Sequence, residues 1–177
     1  MNNTQTVHRY TKALLALAKK NNQAKAIDSD MRVLSDALDA HPDLEAMLKN
    51  PIIKPMVKLR TLNAVFEGLN SFTEGLFEVL AKNKRLASLR HVALHYQTLY
   101  HRDTGVVPVE MSTTIAMDDA FLAAMSERLS KSLNRPIDLT NKVNPELIGG
   151  FVLRYGDFQY DASIGGKLKE LKQAFNK

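Results

Sequence analysis

The chain has 177 residues, 45% of them hydrophobic and 24% charged, with no cysteine. That composition suits one domain or two small ones and excludes a disulfide framework or a thiolate metal site. The net charge of +5 is uneven, with 15 Lys/Arg against 10 Asp/Glu in residues 1–105 and nine of each in residues 106–177.

In chain order, Val7, Tyr10, Leu14 and Leu17 recur at helical spacing, then Ile27, Met31, Leu34 and Leu38 do the same, which predicts two amphipathic helices. A short third helix opens at Pro42, with Asp43 and Glu45 opposing the positive end of its dipole. "NPIIKP" breaks the chain, and Pro55 begins a fourth helix through Met56, Leu59, Leu62, Val65 and Phe66, with Gly68 expected as its left-handed C-cap. Ser71 and Glu74 form a capping-box pattern before Leu76, Phe77 and Leu80, a fifth helix. Leu86, Leu89, Val92, Ala93, Tyr96 and Leu99 predict a sixth, ending near "HRDTG". Six short amphipathic helices cannot bury their stripes separately, so a six-helix bundle over residues 1–104 is expected.

From Gly105 the period changes. Val107, Val109 and Met111 alternate with Pro108 and Glu110, a strand in which Pro108 calls for an edge or strand-start position. "DDAFLAAMSERLSKSL" returns to helical spacing, with Phe121, Leu122, Met125, Leu129 and Leu133 apolar and Asp118 and Asp119 at its start. "PIDLTNKV", "GGFVLRY" and "FQYD" read as short strands, with Gly156-Asp157 as a hairpin turn, and a last helix covers Ser163 to Phe175. The fold class is therefore mainly α, with a small α+β domain at 105–177 that is too short for a doubly wound nucleotide-binding sheet.

No apolar run reaches the roughly 18 residues that cross a bilayer. The opening residues lack a secretory leader pattern, so a soluble chain in a reducing compartment, the cytoplasm by default, is expected.

Chemistry is harder to find. A phosphate-binding loop needs a glycine, four residues, then Gly-Lys-Ser/Thr, but Asp161 stands where the first glycine should be and Leu168 replaces the hydroxyl. Asp161 or Ser163 reads better as a helix cap. His91 and His95 lie four apart, yet "HVALH" lacks the glutamate of a metalloprotease helix, and they read as solvent-facing or partly packed. Asp28/Asp30 and Asp118/Asp119 read as helix-start carboxylates. No catalytic, cofactor-binding or metal-ligating residue is assigned, and no cofactor is expected. A basic helical module for nucleic acid is the competing reading, but Lys12, Lys19, Lys20, Lys25, Lys54, Lys58 and Arg60 are scattered and form no block.

Four blocks in collinear order carry a resemblance. "HRYTKALLALA" has Arg9, Tyr10, Lys12, Ala13 and Leu14 in place, with Thr11 for the usual alanine; "NPIIKPMVKLRTL" supplies an Asn-Pro pair and Lys58. "FEVLAKNKRLASLRHV" supplies the Asn83-x-Arg85 turn. The last and most specific runs through Ile137, Leu139, Val143, Asn144, Leu147, Gly149, Gly150, Phe151, Leu153, Arg154 and Gly156, followed by Asp161, Ser163 and Ile164 with Leu168 and Leu171 behind. Together they resemble the delta subunit family of the rotary proton-translocating ATP synthase, which includes the mitochondrial oligomycin-sensitivity-conferring protein.

The resemblance implies a non-catalytic stator part that links the catalytic head to the peripheral stalk, so that rotation is coupled to ATP synthesis. It implies a peripheral place at the cytoplasmic face of the bacterial inner membrane, with membrane association only through the complex, and no nucleic acid partner. It also implies that the N-terminal helix of an alpha subunit lies in a groove between the first and fifth helices. Tyr10, Ala13, Leu14, Leu17, Leu76, Phe77 and Leu80 are the candidates there. The second domain is then expected to meet stalk subunit b, with Asn144, Gly149, Gly150, Gly156, Asp161, Ser163 and Ile164 as structural signature positions.

Overall fold

The computed structural model describes residues 3–175. The chain is mainly helical, with eight α-helices and one small four-stranded sheet toward the C-terminus among those residues. It divides into two compact units, Met1–Arg102 and Asp103–Lys177.

The first unit holds α1 (Asn3–Lys20), α2 (Ala24–Ala40), α3 (Pro42–Lys49), α4 (Pro55–Val65), α5 (Ser71–Lys82), a 3-10 turn at Leu86–Ser88, and α6 (Leu89–Thr104). One apolar core joins them. Ile27, Met31, Leu34 and Leu38 of α2 are buried, as are Leu76, Phe77 and Leu80 of α5 and Leu89, Val92, Ala93, Tyr96 and Leu99 of α6. Each side chain of this size removed from water contributes about 1.5–3 kcal/mol, and the shared core is what holds these short helices. α5 is the hub, packing against α1, α2, α4 and the 3-10 turn.

The structure departs from several of the sequence expectations. The buried stripe of α1 runs through Val7, Thr11, Leu14, Leu15 and Ala18, which leaves Leu17 outside it. The cap of α5 is Asn70, whose side chain accepts from the Phe72 amide at 3.0 Å, so the helix starts one residue ahead of the Ser71–Glu74 capping box. α4 ends at Val65 with Phe66 as C-cap; Gly68 has φ +82° but lies in the turn beyond. The sixth helix begins at Leu89 because Leu86–Ser88 wind more tightly. Asp28 and Asp30 lie beyond the first turn of α2, which carries no acidic residue, so the dipole does not account for them.

The second unit holds β1 (Val107–Thr113), α7 (Asp119–Leu133), β2 (Ile137–Val143), β3 (Phe151–Tyr155), β4 (Phe158–Asp161) and α8 (Ile164–Phe175). The strand order is β2-β1-β3-β4. β1 pairs parallel to β2 across the α7 crossover, from Val107 opposite Ile137 to Thr113 opposite Val143. It pairs antiparallel to β3 from Glu110 opposite Arg154 to Thr113 opposite Phe151. β1 is thus an interior strand. Pro108 is tolerated because it is the second residue, ahead of the stretch that β3 covers, so the strand-start reading holds and the edge reading does not.

Val107, Val109 and Met111 are buried, as their alternation predicts, and Thr113 continues the same face. Gly156-Asp157 closes the β3–β4 hairpin between the paired Tyr155 and Phe158, with Gly156 at φ +53°. α7 is capped by Asp118, which accepts from the Phe121 amide at 2.8 Å, and it packs along β2. None of its described side chains is fully buried, and Phe121 and Leu133 are exposed.

Candidate functional site

The first candidate surface is formed by the adjacent helices α1 and α5. Leu14, Leu76, Phe77 and Leu80 point into the core, Tyr10 is half-buried against it, and Ala13 and Leu17 face solvent. The guanidinium of Arg9 lies 5.6 Å from the centroid of the Tyr10 ring, a cation–π distance that holds the ring in place. Thr11, in the alanine position of the resembling motif, is fully buried and donates its hydroxyl to the Val7 carbonyl at 2.8 Å, so the extra polar atom is satisfied within the helix.

Sequence reasoning left out two positions on the outer side of α5. Val79 of α5 is 46% exposed, as is Leu17 of α1. Gly75, one turn before Val79, has open space where a side chain would stand. Reading the solvent-side period of α5, Gly75 and Val79 four apart, would have found them.

The α5 end of this surface is fixed by α2. One oxygen of Asp30 accepts from the Asn70 amide at 2.9 Å and from the Thr73 hydroxyl at 2.6 Å. The Asn70 side chain also donates to Gln23 at 3.0 Å. At the far end of α5, Arg85 donates to the Thr6 hydroxyl at 2.9 Å, joining the turn after α5 to α1.

His8, His91 and His95 border a cleft of about 410 Å³ between α1 and α6. His91 is exposed, and the half-buried His95 meets the edge of His8 with ring centroids 4.0 Å apart. Burial, then the neighbouring His8, pushes the His95 imidazole below its ordinary value, so it favours the neutral form. Tyr96, fully buried, donates to the Ala24 carbonyl at 3.2 Å, and burial pushes its phenol upward, so it serves as a core hydrogen-bond donor.

In the second unit the signature positions meet at the start of α8. Asp161 accepts from the Ser163 amide at 2.8 Å, and hydrogen bonding from Ser163, its side chain first and then its amide, holds the carboxyl below the usual range. Ser163 accepts from the Gly166 amide at 2.9 Å, the N-cap bond of α8. A side chain on Gly166 would stand 2.8 Å from the Asp161 carboxylate, so an acidic group already covers this helix start, where a phosphate would be repelled.

Gly149 accepts from the Ile164 amide at 3.0 Å, and a Cβ on it would lie 2.7 Å from Ile164 Cδ1. Gly150 has φ +81°, and a Cβ there would lie 2.4 Å from the Ala162 carbonyl. Asn144 donates its amide to the Thr113 carbonyl at 2.8 Å and accepts the Glu146 amide at 3.0 Å, turning the chain out of β2. Ile148, Phe158, Tyr160, Ile164 and Leu168 remain exposed in this unit; the side chain of Leu171 lies outside the described residues.

The family model described as ATP synthase delta (OSCP) subunit matches residues 7–175. A protein called ATP synthase subunit delta from Flavobacterium johnsoniae is 36% identical over 173 residues, covering 98% of each chain. Its counterpart from Christiangramia forsetii is 34% identical over 98% of this chain and 94% of its own. Among solved structures, a chain in the cryo-EM structure of the Toxoplasma gondii mitochondrial ATP synthase hexamer matches 97% of both chains at 22% identity, with a TM-score of 0.59, which shows a shared fold.

Proposed function

The chain belongs to the ATP synthase delta (OSCP) subunit family, and from that premise we propose how its two units divide the work of the subunit. As a member it is a non-catalytic stator component of the rotary ATP synthase, a peripheral-stalk part that keeps the catalytic head from turning with the rotor. It is a peripheral part of a membrane-associated complex, and no described helix is long and apolar enough to cross a membrane. The nucleic-acid reading has no support from the relatives.

In our reading, residues 1–104 are a six-helix bundle that receives the N-terminal helix of an alpha subunit along α1 and α5. Tyr10, Ala13 and Leu17 would touch it directly, joined by Gly75 and Val79, while Leu14, Leu76, Phe77 and Leu80 form the floor that positions them. The observation that carries this is the pair of half-exposed aliphatic side chains, Leu17 and Val79, on two helices in contact, with open space at Gly75 one turn before Val79. An amphipathic helix laid there covers both, and Gly75 allows its backbone to come close.

Residues 105–177 would hold subunit b through the exposed Ile148, Phe158, Tyr160, Ile164 and Leu168, at the cytoplasmic face of the bacterial inner membrane. Dissociation slow against turnover calls for well-packed contacts at each site, on the order of 1,200–2,000 Å².

The test is calorimetry of the full chain against a synthetic peptide copying the alpha-subunit N-terminus of the same organism, at low and high salt. The expected result is saturable one-to-one binding that survives salt and weakens about tenfold or more in Ala13→Glu, since a carboxylate would then be buried against apolar surface. A folded chain that binds no peptide, or an Ala13→Glu variant that binds as the parent does, would remove the groove assignment.

A further inference from the structure

A second cleft, of about 390 Å³, lies where the end of α3, residues 50–54, the start of α4 and the 3-10 turn converge. Its lining combines aliphatic side chains, chiefly Ile52 and Ile53, with Lys49, Lys54, Lys58 and Lys84, and among the described residues no carboxylate lines it. Two of these lysines have internal work. Lys58, buried, donates its ammonium to the Leu48 carbonyl at 2.6 Å, closing the last turn of α3, and Lys49 pairs with Glu45 at 2.7 Å. Lys54 and Lys84 are exposed and make no ion pair among the described residues.

The aliphatic part is held in water by a defined loop. Ile52 is 87% exposed, although its amide is fixed by the Asn50 side chain at 2.9 Å and the Asn50 amide closes onto Ala46 and Met47. Pro51 and Pro55 restrict the backbone on either side. Met56 and Val57 at the start of α4 are also exposed. A surface ordered before it binds loses less entropy on docking, and an isoleucine fixed outward amid unpaired cations has no evident role in the unit's own core.

We propose that this cleft is a second docking site, for an acidic segment of a partner protein that carries an aliphatic or aromatic side chain beside its carboxylates. The apolar side chain covers Ile52 and Ile53, and the carboxylates meet Lys54 and Lys84. Glu45 offsets only one of the four cations, so the cleft's potential is positive, steering acidic segments in and turning basic ones away. A bare inorganic anion would leave the aliphatic lining in water. The cleft's volume suits one or two side chains better than the paired chains of a lipid. The site draws on α3, α4 and the 3-10 turn, apart from the proposed α1–α5 groove, and is tested independently of it.

The test places the photoreactive residue p-benzoylphenylalanine at Ile52 of the full chain, assembles that chain into its synthase, and locates the adduct by mass spectrometry after irradiation. The expected result is an adduct within an acidic segment of another subunit. Its yield should fall about five- to tenfold when Lys54→Glu and Lys84→Glu are combined, as reversal of two rim charges implies. Both lysines are exposed, and Lys58 is left in place so that α3 keeps its closure; unchanged circular dichroism verifies the fold. No adduct, an adduct to lipid or to a neutral or basic segment, or a yield indifferent to the two reversals would overturn the proposal.

Discussion

Gly150 and Gly156 both have positive φ, but only Gly150 faces a neighbour, with the Ala162 carbonyl where a Cβ would be. Gly150→Ala therefore combines left-handed strain with a backbone clash, and should cost about 2–4 kcal/mol. Gly156→Ala meets nothing within 4 Å and should cost about 1–2 kcal/mol from strain alone. Urea unfolding of the full chain, followed by a probe in the second unit, measures both; equal costs would refute the close-approach account of the glycine pair. The sequence shows two adjacent glycines and a nearby helix-capping pattern. It does not show what crowds them, because the crowding atoms come from Ala162, Ser163 and Ile164, beyond a hairpin whose register only the folded sheet defines. Asp161 and Ser163 were legible as capping residues because their partners are two and three positions away.

At the scale of elements, what is local was readable and what is distant was not. The α2, α5 and α6 stripes follow from period alone, since a helix with one apolar face has one way to bury it. In α1 the same reasoning put Leu17 on the inner face. The fold buries Thr11, Leu15 and Ala18, a choice hidden by Thr11, which looks polar until its hydroxyl bonds back to Val7. The interior position of β1 was hidden too, because Pro108 argues against an inner strand and only the short β3 pairing makes room for it.

Asp30 is the clearest case of distance. Its two partners at the start of α5 lie 40 and 43 residues away, and no spacing rule connects them. Asp30→Ala strands the buried end of this network and should destabilise the chain by about 1–3 kcal/mol in urea unfolding. Adding Thr73→Ala should then cost less than it does in the parent, because the hydroxyl has already lost its acceptor; strict additivity would show that the two groups do not act as one clamp.

At the scale of the whole molecule, a stator part works by mechanical continuity, so its failure has a signature that a catalytic failure lacks. A chain that grips the head poorly leaves the head's nucleotide chemistry intact while letting the head slip against the stalk. Leu17→Asp puts a charge on the exposed face of α1 without touching the buried stripe, so the fold should persist. Synthase assembled with this variant is expected to hydrolyse ATP at close to the parental rate, while ATP-driven proton pumping into vesicles falls severalfold, in line with a bound fraction reduced by about 1–3 kcal/mol of lost docking energy. Fluorescence quenching of a pH-sensitive dye beside a hydrolysis assay reads the two rates on one preparation. If pumping and hydrolysis fell together, the variant would be acting on the head's chemistry or assembly. If neither changed, Leu17 would lie outside the path of force, and the exposed aliphatic pair on α1 and α5 would need another occupant.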